Sequence, residues 1–129
     1  PPAKLGPLLF ADPTGPAAQR LAEPPADEEA AIQTALRTTW SLACTGKFVW
    51  PIPDKGLKKR LHRISAPTLL VWGEQDGLVP PAYAAVFSEA LGGAKVEMIT
   101  GAGHLPQVEQ LTKTTEVITS FLAEQVGMP

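Results

Sequence analysis

The chain has 129 residues, a formal net charge of -2 at neutral pH and one cysteine. That charge argues against nucleic acid as the partner, and no apolar run is long enough for a helical membrane span. A single cysteine cannot close an internal disulfide, which fits a reducing compartment and leads us to expect a cytoplasmic protein.

In chain order, Pro1 to Pro25 holds seven prolines. It reads as an extended or loosely ordered connection, with Leu8, Leu9 and Phe10 as a small apolar anchor. The first residue is not methionine and no charged-then-apolar targeting segment follows, so an upstream part is expected to have been removed or left out. Residues 26–56 form the next unit. Within it Ala26 to Ala43 is helical in pattern: Asp27 is placed to cap the first turn, Glu28 and Glu29 suit its positive end, and Ile32, Leu36, Trp40 and Ala43 repeat on one face. Thr45 to Lys55, with Phe48, Trp50 and a P-I-P-D turn, leads back to the main domain.

Lys55, Lys58, Lys59, Arg60 and Arg63 make a basic cluster that raises an anionic ligand as one reading. Leu57, Leu61 and Ile64, spaced by four and three, favour instead a short amphipathic helix whose solvated face carries the charges, with His62 exposed beside them.

From residue 57 onward the pattern becomes α/β. Ala66 to Trp72 reads A-P-T-L-L-V-W, an apolar run between Pro67 and Gly73 that suits a strand buried on both faces of a parallel sheet. Asp76 follows on the loop leaving it, in G-E-Q-D-G. Pro80 to Leu91 has prolines at its entrance and Tyr83, Val86, Phe87, Ala90 and Leu91 at helical spacing. Lys95 to Thr100 reads K-V-E-M-I-T, a second strand, and His104 lies on the loop after it, in G-A-G-H-L. Val108 to Val126 then gives a last helix with Val108, Leu111, Val117, Ile118, Phe121 and Leu122 as its apolar face. A right-handed crossover makes the two strands parallel and brings both loops to one edge of the sheet, where ligands of such sheets bind.

A buried carboxylate that accepts a hydrogen bond from histidine Nδ1 fixes the ring's tautomer and steadies the imidazolium formed when the other nitrogen takes a proton. Asp76 and His104 are the candidates for that pair. Against this stand an ordinary Asp-Gly turn for Asp76 and a structural histidine in a glycine-rich turn for His104; their joint spacing and topology favour the pair. Glu74 and Asp54 are the alternative acids. Trp72, Trp40 and Trp50 are candidate substrate-binding residues, with core packing as the competing role for each. Two distant histidines and one cysteine give no metal-ligand spacing, so no metal site is expected.

R-I-S-A-P-T-L-L-V-W-G-E-Q-D-G-L-V-P-P from Arg63 to Pro81, G-A-G-H-L-P-Q-V-E-Q from Gly101 to Gln110 and the closing I-T-S-F-L together resemble the C-terminal part of an α/β-hydrolase. The resemblance covers residues 57–125. It implies an α/β fold in which residues 57–129 are the C-terminal strand-helix-strand-helix portion of a doubly wound parallel sheet, 26–56 a helical cap or lid-like segment, and 1–25 the proline-rich connection. It also implies that Asp76 orients His104 as general base, that no cofactor is needed, and that the substrate is a small molecule with an ester or related bond.

The serine of that family sits in a G-x-S-x-G elbow upstream of the acid, and this sequence contains none: no glycine-flanked elbow surrounds Ser41, Ser65, Ser88 or Ser120, and Cys44, in L-A-C-T-G, lacks the elbow as well. The expected partner is therefore an N-terminal segment or companion chain carrying the nucleophile. Relatives of the fold also place aspartate at the elbow, or cleave carbon-carbon bonds with serine, and nothing between Gly73 and His104 chooses among them. The alternative is a hydrolase-like remnant that binds without turnover. Two strands covered by helices make a poor independent core, so the chain alone is expected to be marginally stable.

Overall fold

The computed structural model describes residues 5–23, 25–51, 54 and 56–127. Lys55 and the Ile52-Pro53 part of the P-I-P-D turn lie outside the described residues.

Two parallel strands form the sheet. β1 (Leu69–Gly73) pairs with β2 (Lys95–Ile99) in a register that sets Leu69 opposite Lys95 and Gly73 opposite Ile99. β1 starts later than the apolar run, because Pro67 has no N–H for the ladder and Thr68 Oγ1 donates back to Ala66 O at 2.9 Å. It also ends one residue later, on Gly73. A Cβ at Gly73 would overlap the backbone of Ala102 and Gly103, so only glycine lets the strand end and the loop that carries His104 lie against each other.

α4 (Ala82–Ala90) makes the crossover between the strands, entered through Pro80 and Pro81 as the sequence suggested. Phe87 on this helix packs on Trp72 of β1 with ring centroids 6.2 Å apart, inside the range where aromatic pairs attract.

After β2 the helix expected over Val108 to Val126 is two helices. α5 (Pro106–Glu109) and α6 (Leu111–Val126) are separated at Gln110, whose backbone is non-helical at φ -128° and ψ 54°. The break has a partner: Gln110 Nε2 donates to Gly101 O at 3.0 Å, tying the joint to the start of the loop that carries His104. Thr114, buried on α6, closes the bend by donating from Oγ1 to Pro106 O at 3.1 Å.

The upstream half departs further from expectation. Instead of a loose connection, residues 5–23 contain α1 (Gly6–Leu9) and α2 (Pro16–Ala22), each with a proline in its first turn where the missing N–H costs nothing. Asp12 shapes the turn between them by accepting from Thr14 N at 2.9 Å and Thr14 Oγ1 at 2.8 Å. Phe10 is buried.

α3 (Glu28–Val49) is capped by Asp27, whose side chain accepts from Ala30 N at 2.8 Å. It runs past Ala43, through Gly46, to Val49 and stops at Trp50, which is held extended before Pro51. None of its residues is buried. The short amphipathic helix expected around Leu57 to Ile64 is a turn followed by one 3₁₀ turn at Leu61–Arg63. Lys59 and Arg63, like charges four residues apart with no acidic neighbour in the segment, oppose an α-helix there.

Among the described residues the buried apolar side chains are Phe10, Ala18, Ala84, Ile99 and Ala102. No helix among the described residues is long and apolar enough to cross a membrane.

Candidate active site

The parallel register brings the loops after β1 and β2 to the same end of the sheet. The loop after β1 carries Asp76, in a tight turn whose form the carboxylate itself enforces: Oδ1 accepts from Leu78 N and Val79 N, both at 2.9 Å. The other oxygen, Oδ2, lies 2.9 Å from His104 Nδ1. Neither Glu74 nor Asp54 takes this place. Glu74 is exposed, and Asp54 accepts from Gly56 N in its own turn.

Asp76 is almost fully enclosed, its side chain 5% exposed, while that of His104 is 34% exposed. Burial by itself pushes the Asp76 carboxyl up. The Val79 amide, the His104 ring and the Leu78 amide outweigh it and hold the group below the ordinary carboxylate range. An ionised carboxylate only accepts, so the proton between Oδ2 and Nδ1 belongs to the ring, and in the neutral imidazole Nε2 is then the nitrogen with the lone pair. That nitrogen is the one on which a general base would take a proton.

A cavity of about 170 Å³ opens beside the pair, between Trp72, Asp76, Val79, His104 and Pro106. Trp72 is fixed there by its indole N–H, which donates to Val79 O at 3.1 Å. A larger concavity of about 430 Å³ lies at the other end of the strands, around Thr68, Gly92, Lys95 and Glu124. It is open and holds no carboxylate-histidine pair, only the exposed Lys95–Glu124 ion pair at 3.4 Å, so its greater volume does not make it the site. Trp40 and Trp50 are not brought to the cavity; both stand in solvent, 75% and 76% exposed, on α3 and at its end. Among the described residues no group of three His, Cys, Asp or Glu side chains is placed to hold a metal ion.

The sequence reading missed one carboxylate in this region. Glu109, at the end of α5, accepts from Gly103 N at 2.7 Å through Oε2 and from Ala11 N at 2.8 Å through Oε1. The signal lay in the glycine before His104, since Gly103 is pressed against the backbone of Leu9 to Ala11 and leaves no room for a side chain.

A family model for the alpha/beta hydrolase fold matches residues 17–111. Among related proteins, monoacylglycerol lipase abhd6-B of Xenopus laevis is 33% identical over 67 residues, which are 52% of this chain and 20% of that protein. A 2-hydroxy-6-oxononadienedioate/2-hydroxy-6-oxononatrienedioate hydrolase of Klebsiella pneumoniae is 35% identical over 71 residues, 55% of this chain and 24% of its own length. Epoxide hydrolase EphH of Mycobacterium tuberculosis is 35% identical over 68 residues, 51% of this chain and 32% of its own length. The chain thus spans less than a third of each of these relatives. Among solved structures, a bacterial membrane phospholipase A superposes with a TM-score of 0.62 at 24% identity, over 95% of this chain and 37% of that one, which is a likeness of fold.

Proposed function

Because the chain belongs to the α/β-hydrolase fold family, we propose that it is the acid-and-base-bearing portion of an enzyme that hydrolyses a small ester or related bond. Asp76 orients His104, and His104 draws the proton from a nucleophile supplied by residues outside this sequence, on an N-terminal segment or a companion chain. The observation that carries this reading is the 2.9 Å contact between Asp76 Oδ2 and His104 Nδ1, with the other carboxylate oxygen held by two amides. A carboxylate so fixed holds the ring in one orientation, and His104 lines the cavity in which Trp72 offers an apolar wall to a substrate.

The relatives named above act on a monoacylglycerol, on an oxo-acid and on an epoxide, yet the matched stretch is nearly the same length in each. On this reading the stretch shared with them supplies the acid and the base, and the choice among bond types lies with the nucleophile and the pocket. Serine chemistry is the commonest use of the fold and is the form we adopt. A cytoplasmic setting belongs to the same proposal and rests on the lone Cys44.

Intact-mass spectra before and after a fluorophosphonate, which labels activated serines, test it. A second polypeptide that co-purifies and gains the label, and that stops gaining it when His104 is replaced by alanine, supports the proposal. No labelled serine in any polypeptide that co-purifies with this chain, nor in a longer protein that carries it with an N-terminal segment, turns the reading to a hydrolase-like remnant that binds without turnover. The exposed Trp40 and Phe48 on α3 favour that second reading, since they offer an apolar surface away from the acid-base pair.

A further inference from the structure

We infer that Glu109 is a positioning residue for the base: its carboxylate braces the loop that carries His104 against the Leu9–Asp12 segment. The inference rests on the acid-base reading of Asp76 and His104. Two stretches of chain almost a hundred residues apart meet at this group. Glu109 Oε2 accepts from Gly103 N at 2.7 Å, the amide immediately before His104. Its Oε1 accepts from Ala11 N at 2.8 Å, with a longer contact from Asp12 N at 3.4 Å. A third bond closes the brace directly, because His104 N donates to Leu9 O at 2.8 Å. The two successive amides that lead into the imidazole's attachment point are therefore tied down, while the side chain beyond them is about one-third exposed, at 34%.

The close approach is built into the sequence. A Cβ at Gly103 would stand 2.7 Å from Leu9 O and 2.8 Å from Ala11 N, and one at Gly77 would stand 2.9 Å from Pro7 O. The Pro7–Ala11 segment thus touches the acid loop and the base loop together, and Gly77 and Gly103 are the two places that admit it. An ionised carboxylate suits the joint because both of its oxygens only accept, and each meets an amide. Glutamine of the same shape would accept with one oxygen and turn its own N–H₂ toward the other amide, donor facing donor. Aspartate would lack the methylene needed to reach both segments.

The readout is the Nδ1 proton of His104 in the ¹⁵N-labelled chain, observed by NMR together with the thermal melt. In the unmodified chain this proton is expected to be hydrogen-bonded and protected from exchange. In E109Q the helices and the melt are expected to persist while the proton exchanges about tenfold faster, the scale of losing one charge-assisted hydrogen bond. E116Q, on the exposed side of α6, serves as the control and should leave it unchanged. Exchange in E109Q within about twofold of the unmodified chain overturns the inference.

Should E109Q not fold, the unmodified chain decides. The amides of Gly103 and Ala11 and the Nδ1 proton are expected to share one opening event, and independent openings overturn the brace. Absence of a protected Nδ1 proton from the unmodified chain overturns the acid-base pair and the brace with it. A protected proton that E109Q leaves untouched overturns the brace alone.

Discussion

The loop pair after β1 and β2 and the long helix α3 are opposite solutions within one chain. Around Asp76 and His104 the carboxylate is held by two local amides and by the ring, His104 N reaches Leu9 O far upstream in the chain, and Ile99 of β2 is fully buried. α3 has a sound cap, acidic residues in its first turn and a lysine in its last, yet it buries none of its residues and leaves Phe48 77% exposed. Local sequence is enough to make a helix. Burial requires a surface to lie on, and the described residues do not supply one for α3. What the difference teaches is that the acid-base end of this molecule is preorganised by its own chain, whereas the helix is shaped but not anchored.

The contrast is broken most severely at the pair itself. In the assembled hydrolase, replacing His104 by alanine is expected to remove turnover by several orders of magnitude with substrate binding largely kept, and Asp76→Asn to cost about 10⁴ in kcat by favouring the wrong tautomer. Comparable KM values with the large loss confined to kcat, in steady-state assays, are the signature. A loss of less than about tenfold in either variant would remove the base role from this pair.

Next in size is the packing that lets the loops approach. Gly103→Ala places a methyl group against Leu9 O and the Ala11 amide, both backbone atoms that cannot rotate away. A destabilisation of about 1–3 kcal/mol is expected in urea unfolding, toward the upper end because the neighbours are backbone. The same substitution at Gly46 on α3, where nothing lies within reach of a Cβ, should be neutral or slightly stabilising. Equal effects at the two positions would erase the distinction between the braced loops and the free helix.

Acid sharpens the comparison further. Folding holds the Asp76 carboxyl below its ordinary range, so the folded state favours the ionised form. The stability this contributes is complete above the unfolded-state value near pH 4 and is lost as pH falls through the lower folded-state value. Urea midpoints measured between about pH 6 and pH 2 should fall at the acid end, and the part of that fall due to this residue should vanish in Asp76→Asn.

The sequence disclosed the loop pair more fully than it disclosed α3. Strand, loop and helix order around Asp76 and His104 were legible because prolines and glycines punctuate short apolar runs there, and the parallel register followed from the crossover. The residues that hold the loops were not, since Leu9, Ala11 and Glu109 act through backbone amides and a carbonyl, and no pattern of side-chain types announces a backbone contact across such a separation. Gln110 was misread for a related reason. It has a good helix propensity, and its bond to Gly101 O, a tertiary contact, overrides it. For α3 the periodicity of Ile32, Leu36 and Trp40 was visible, but periodicity marks a face meant to be covered and says nothing of what covers it.

That face supplies the smallest expected effect. Leu36 and Trp40 are exposed on α3, and in the isolated chain replacing both by glutamine removes little buried area, so the unfolding free energy should move by no more than about 0.5 kcal/mol. Glutamine keeps helix propensity close to that of leucine, which separates the loss of apolar surface from any change in the helix itself. The same pair of substitutions made in the assembled hydrolase carries the argument to its end. If the upstream part of the fold covers α3, the assembly is weakened by much more than the isolated chain, because each apolar side chain then gives up burial worth about 1.5–3 kcal/mol. If the helix stays in solvent after assembly, the two measurements agree, and the apolar face belongs to some other contact than the one that completes the enzyme.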